Sequence, residues 1–146
     1  MNERSPAVDS LVRRLIQHEA GGARDAESLA AAVDAACRQL SGELETLVGR
    51  GGVAALLGRA LSLARREFPF LGAARVRLDD PVALEGLREA LHGCNPVEAE
   101  DASTALLANL VGLLVNLLGE ELGLRPVTSI WPNLLPEAGA PASREI

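Results

Sequence analysis

The stretch LLANLVGLLVNLL, residues 106–118, decides the fold of this chain. It is apolar on nearly every side of a helix, and such a helix is either buried centrally or lies in an interface. The whole apolar run, Ala105 to Leu118, is shorter than the roughly 20 residues that a bilayer-spanning helix needs. We therefore predict a central core helix and no membrane contact.

A narrow strip of small and amide residues interrupts this helix at heptad spacing. Glycine inside a helix costs about 1 kcal/mol relative to alanine, and a buried asparagine can fix the register of a helix pair. The strip predicts contact with another helix, from the same chain or from a second copy, and we favour a homodimer. The alternative is that the strip faces water. Its members are Ala105, Asn109, Gly112, Asn116 and Gly119.

Caps, prolines and glycines place four further helices before the apolar one. Ser, Asp or Asn before an apolar periodic run, often with proline next, is typical of a helix start, and glycine is typical of its end. The five predicted helices run from Ser5-Pro6 to Gly21, from Asp25 to Gly49, from beyond Gly52 to Pro69, from Asp80-Pro81 to Gly93, and from Asn95-Pro96 to about Leu122.

These elements define an all-α fold in a single domain over residues 1–131. The apolar residues are mostly Leu, Ala and Val, with one Trp, two Phe and no Tyr, which favours packed helices over a sandwich or barrel. The segment Arg75–Leu78 alternates as an extended stretch would, with no evident strand partner. Residues 132–146 are Pro- and Ala-rich and predict a flexible tail.

The stretch GRGG, residues 49–52, resembles a phosphate-binding loop only superficially. A P-loop follows a strand and ends in Lys-Ser/Thr, whereas here a long helix precedes the glycines and Val53 follows them. We predict a hinge that lets two helices fold back antiparallel, with Gly49 in a left-handed turn.

Charge is distributed unevenly along the chain. The net charge of −6 argues against nucleic-acid binding, which needs a basic footprint. All 14 basic residues are arginine, and residues 50–77 hold six of them against one acid, Glu67. This segment predicts contact with an acidic partner or anion, and the alternative is pairing with acids elsewhere in the chain. The candidate contact residues are Arg50, Arg59, Arg65 and Arg66.

Candidate chemistry is sparse. His18, on the first helix, is the one candidate phosphoacceptor, but Glu19 follows it and Gly21 stands where phosphotransfer modules carry a basic residue. His92 suits a helix C-terminus. Cys94 lacks the base that an activated nucleophile needs. We predict no enzyme, no cofactor and no metal site.

The cysteines and the N-terminus indicate the compartment. Cys37 and Cys94 lie beside apolar residues without metal-ligand spacing, as reduced buried thiols do. The first ten residues carry no apolar signal segment. We predict a cytoplasmic protein.

Two segments, LVGRGGVAALLGRALSLARREFPFL (47–71) and ALLANLVGLLVNLLGEELGLRPVTSIWP (105–132), resemble a set of small uncharacterised bacterial all-helical proteins. Those proteins carry GxxGxxALxxRxLxLAxxxFPWL, and LIGExLTxRLLxxxWP near the C-terminus. The resemblance covers residues 29–132, with Phe70 in place of a Trp and Pro126 inside the second motif. The matching positions are Gly49, Gly52, Arg59, Phe68, Pro69, Gly119, Glu120, Leu122, Arg125, Trp131 and Pro132.

The resemblance implies a role in bacterial regulation near sensor kinases and supplies no activity. We therefore expect a non-enzymatic interaction module, a homodimer that acts as a partner or regulator in signalling, in contact with an acidic signalling protein. The alternatives are a sensor that holds a small apolar ligand beside Leu110 and Leu114, and histidine phosphotransfer through His18.

Overall fold

A computed structural model of the protein describes residues 5–78 and 82–134. Of these described residues 82% are helical, in five α-helices and two 3-10 turns, and they also include one small two-stranded sheet. The predicted all-α fold is confirmed. The elements are α1 (Pro6–Ala20), α2 (Ala26–Glu67), β1 (Arg75–Arg77), β2 (Ala83–Glu85), α3 (Leu87–Leu91), α4 (Pro96–Leu118) and α5 (Glu120–Ile130), with 3-10 turns at Pro69–Ala73 and Pro132–Leu134.

The long helices begin at the capping residues that the sequence predicts. The Ser5 hydroxyl accepts a hydrogen bond from the Val8 amide at 3.2 Å. Asp25 and Asn95 accept from the backbone amides three residues on, at 3.0 and 2.8 Å. Each cap satisfies a backbone donor that the helix leaves without a partner.

Helix α2 is sharply kinked at Gly49, where φ is 78° and ψ is 166°. A straight helix of 42 residues would be about 63 Å long. Yet α3 packs against the turn that follows α2 and also lines a groove with Ala26 and Glu27, at the start of α2. The two halves of α2, residues 26–48 and 50–67, therefore return to the same end of the molecule, as expected for a hinge.

The predicted fourth helix is wrong in its first half. Residues 83–85 form β2, which pairs antiparallel with β1 in the register Val76 to Leu84, and the helix itself begins only at Leu87. A spacing that suits a helix is shared by Val82, Leu84, Leu87 and Leu91. However, Leu84 is buried as part of β2, and Val82 is buried as the residue just before that strand. Asp80 and Pro81, the predicted start, lie outside the described residues.

The apolar helix is also shorter than predicted. Helix α4 ends at Leu118 because Gly119 takes φ 87° and ψ 163°, nearly the backbone conformation of Gly49. Helix α5 then runs back along α4 and continues through Pro126. A side chain at Gly123 would meet Val115 Cα at 2.7 Å, so the two helices touch backbone to backbone there.

Helix α4 lies at the centre of the bundle and packs against α1, α2 and α5. The buried apolar side chains form one continuous core, to which α4 contributes a buried run from Ala102 to Leu114. Residues 132–134, at the start of the predicted tail, form a 3-10 turn that contacts α1 and α5. Residues 135–146 of that tail lie outside the described residues.

Candidate functional site

The inner part of the α4 strip is used inside the chain. Ala105, Asn109 and Gly112 are all buried. The Asn109 amide nitrogen donates to the Ala60 carbonyl in the second half of α2 at 3.2 Å. The helix partner that the strip requires is therefore supplied here by the same chain.

The outer part of the strip lies at the surface. Asn116 and Gly119 are exposed at the end of α4. The three inner residues of the strip are thus buried within this chain, and only the outer two are exposed. An interface with a second copy along the whole strip stays a prediction.

Of the four candidate arginines, Arg65 has a structural role. Its guanidinium donates to the Leu71 carbonyl at 3.5 Å and to the Ala74 carbonyl, so it holds the turn that follows α2. Its assignment as a partner contact stays a prediction. Arg50, Arg59 and Arg66 are exposed along the second half of α2.

The remaining arginines of that segment are paired across the small sheet. The Glu85 carboxylate on β2 forms salt bridges with Arg75 at 2.5 Å and with Arg77 at 3.6 Å, and both arginines lie on β1. The sheet thus brings an acid from outside residues 50–77 onto the basic segment. Part of the predicted basic character is neutralised within the fold, as the alternative expected.

Both histidines are exposed. His18 is exposed near the end of α1, and its neighbour Glu19 accepts a 2.8 Å hydrogen bond from Trp131 Nε1. His92 is exposed just after α3, where it lines an open groove of 540 Å³. No group of three or more metal-ligating side chains occurs in residues 5–78 and 82–134.

Both described grooves lie between the start of α2 and α3. The first is lined by Ala26, Glu27, Arg88, Glu89 and His92, and a shallower one of 260 Å³ continues along the same side. Neither includes Leu110 or Leu114, which are buried in the core. These grooves therefore give the apolar-ligand alternative no support.

The most highly organised polar group is one that the sequence analysis missed. Glu100 on α4 is 3% exposed. It accepts hydrogen bonds from Arg24 at 3.1 Å and from Gln17 at 3.2 Å, and pairs with Arg13 at 3.3 Å. These partners lie on α1 and on the loop between α1 and α2, so one carboxylate joins three parts of the fold.

Two opposing effects set the pKa of Glu100. Burial raises the pKa of its carboxyl, because it removes water from the charged form. Hydrogen bonds from Arg24, Gln17 and Arg13, together with the charge of Arg24, outweigh burial, and the net pKa lies below its ordinary value. The carboxylate is therefore ionised and serves as a structural clamp.

The cysteines carry no organised chemistry. Both are free thiols. Burial, with a smaller contribution from Asp34, raises the pKa of Cys37 to about 12, and burial with Glu98 raises that of Cys94. A thiol becomes nucleophilic by losing its proton, so both shifts act against reactivity.

Three large apolar side chains are exposed beside the two glycine corners. Leu47 is 60% exposed just before Gly49, while Leu117 and Leu122, on either side of Gly119, are 61% and 49% exposed. Leu117 is also the last residue of a row on one face of α4, whose members are four, three and four residues apart. The other members of that row are buried. The buried row consists of Leu106, Leu110 and Leu113.

The two corners lie at the same end of the bundle. Helix α3 packs against the turn that ends α2 and leads within five residues to α4, so α4 and the second half of α2 run in opposite directions. Asn109 contacts Ala60. At a rise of 1.5 Å per residue, Gly119 lies about 15 Å after Asn109 along α4, and Gly49 lies about 16 Å before Ala60 along α2. Because the two helices run in opposite directions, both glycines lie towards the same end of the bundle. We call this part of the surface, with Leu47, Leu117 and Leu122, the corner end.

Comparison with known proteins adds no assignment, because no protein-family model, curated protein or solved structure matches this chain. By length and composition, α2 and α4 are apolar enough to cross a membrane. Helix α4 is 23 residues long, and its apolar run, Ala105 to Leu118, occupies only the second part of it. Its most apolar window is 72% buried inside the domain, as is usual for a core helix.

Proposed function

We propose that the protein is a non-enzymatic helical interaction module that self-associates and acts as a cytoplasmic partner or regulator in bacterial signalling. The signalling context rests on the resemblance of residues 29–132 to small bacterial helical proteins. The cytoplasmic location is supported by two free cysteines, since reduced thiols are typical of a reducing compartment.

The exposed leucines of the corner end carry the proposal of self-association. Leu117 continues a buried row of the core out to the surface, and Leu47 and Leu122 accompany it. Large apolar side chains exposed at one end of a folded domain favour contact with another molecule. A homodimer covers this surface without requiring the buried residues of the strip.

Sedimentation velocity on the full chain across the micromolar range tests this function. We expect the sedimentation coefficient to rise with concentration from that of a monomer to that of a dimer. A monomer at every concentration would refute self-association.

A second contact with an acidic signalling protein is proposed through Arg50, Arg59 and Arg66. Their exposure along one half of α2, in an otherwise acidic chain, supports an electrostatic contact. Replacing Arg59 and Arg66 by glutamine should abolish capture of the acidic signalling protein while leaving the sedimentation profile unchanged. Capture at wild-type strength would refute this contact.

Histidine phosphotransfer through His18 stays a weaker alternative. The exposure of the imidazole favours it. The acid Glu19 beside it, which is already bonded to Trp131, disfavours an incoming phosphoryl group. Incubation with labelled acetyl phosphate, with His18→Ala as the control, decides this point.

A further inference from the structure

We propose that a second copy of this chain covers the corner end, about a two-fold axis that brings the corner end of one copy against that of the other. This inference rests on the proposed self-association and adds the symmetry of the contact and the charged residues that pair across it. Most soluble homodimers are of this self-complementary kind, in which the same patch faces itself.

The apolar part of the surface is suited to such a contact. Leu117 is the exposed end of the row on α4, and the other leucines of that row are already packed in the core. Leu47 on α2 and Leu122 on α5 are exposed at the same end of the bundle. Because the three leucines are placed by helix ends rather than by a loop, little order has to be gained on binding.

The charged residues around the leucines are complementary under a two-fold axis. Arg50 follows one corner, and Glu120 and Glu121 follow the other, and all three are exposed. A two-fold axis that sets the Gly49 corner of one copy against the Gly119 corner of the other places Arg50 opposite Glu120 and Glu121. The same acids disfavour an anionic lipid surface, which attracts basic segments.

A matched pair of substitutions tests the surface. Leu117→Ser and Val97→Ser remove similar side chains from opposite ends of α4, where they are 61% and 62% exposed. We expect Leu117→Ser to raise the dimer dissociation constant at least tenfold and Val97→Ser to leave it unchanged, as measured by sedimentation equilibrium. Far-UV circular dichroism and Trp131 fluorescence verify that both variants are folded.

A mixing experiment tests the symmetry. Arg50→Glu alone and the double variant Glu120→Arg/Glu121→Arg alone should each dimerise more weakly than the wild type. An equimolar mixture should restore association, as a heterodimer. If these residues paired only within one copy, mixing would not restore association, because each variant would still hold like charges at the two corners.

The outcomes separate this inference from the proposed function. A dimeric wild type whose dissociation constant responds equally to Leu117→Ser and Val97→Ser, or a mixture that fails to associate, overturns the corner-end contact and leaves self-association standing. A monomeric wild type overturns both. Binding of the wild type to neutral lipid vesicles that Leu117→Ser abolishes would assign the surface to a membrane and overturn the inference.

Discussion

Glu100 on α4 and Arg24 in the loop between α1 and α2 are 76 residues apart in sequence, yet Arg24 Nε lies 3.1 Å from the Glu100 carboxylate. Gln17 and Arg13 complete the set of donors around the same buried group. The carboxylate therefore fixes α1 and the start of α2 against the central helix.

Replacing Glu100 by glutamine should lower the free energy of unfolding by about 2 kcal/mol, because hydrogen bonds to a charged acceptor are lost in a buried position. The loss stays below that of a fully buried ion pair, since the Arg24 side chain is 60% exposed and water screens it. Urea unfolding monitored by Trp131 fluorescence measures it. Asp101→Asn, which weakens only the partly exposed contact with Arg13, is the control and should cost less than about 1 kcal/mol.

The same carboxylate predicts an acid dependence of stability. The pKa of Glu100 is lower in the folded state than its ordinary value of 4.5, so its contribution is present above that value. The contribution is lost as the pH falls through the lower, folded pKa. The difference in unfolding free energy between the wild type and Glu100→Gln should therefore shrink as the pH falls below about 4.5. A difference that is constant down to strongly acidic pH would contradict this.

Gly123→Ala should destabilise the protein by about 1–3 kcal/mol, the usual cost of forcing atoms into a packed interface. The new methyl group would lie 2.7 Å from Val115 Cα and 2.8 Å from the Leu114 carbonyl, and this backbone cannot move without shifting α5. Thermal unfolding followed by circular dichroism provides the measurement. Gly51→Ala, in a helical position with open space around it, should instead stabilise by about 0.5–1 kcal/mol.

The two thiols should differ in reactivity. Cys37 is buried and its pKa is raised to about 12, so almost no thiolate exists at pH 8, whereas Cys94 is only partly buried. An aromatic disulfide reagent should modify Cys94 in the folded protein and Cys37 only after unfolding. Cys94→Ala should abolish the reaction of the folded chain. Two equivalents released rapidly without denaturant would contradict the burial of Cys37.

Local chemistry explains which parts of the fold the sequence predicts. Ser5, Asp25 and Asn95 each bond to an amide only three residues away, so the helix starts can be read from neighbouring residues. The bend at Gly49 is predictable for the same reason, since three glycines interrupt a periodic pattern within four positions. Such signals do not depend on the rest of the chain.

The errors arise where distant contacts decide the structure. Residues 83–85 join a strand because β1 is available to pair with them, although Leu84, Leu87 and Leu91 have helical spacing. Gly119 reads as part of a small-residue strip, and only its positive φ reveals the end of α4. The Glu100 clamp carries no local signal, since Gln17 is 83 residues away.

The hydrogen bond between Trp131 and Glu19 spans 112 residues and has a consequence for synthesis. Because translation starts at the N-terminus, α1 and α2 are made before α4 and α5. Glu19 and Arg24 therefore cannot bond to Trp131 and Glu100 until those later residues have been translated. Throughout that interval the apolar faces of α1 and α2 have no central helix to cover them, a condition that exposes nascent chains to aggregation. We therefore expect ribosome-bound chains that stop before α4 to be held by chaperones rather than to fold progressively.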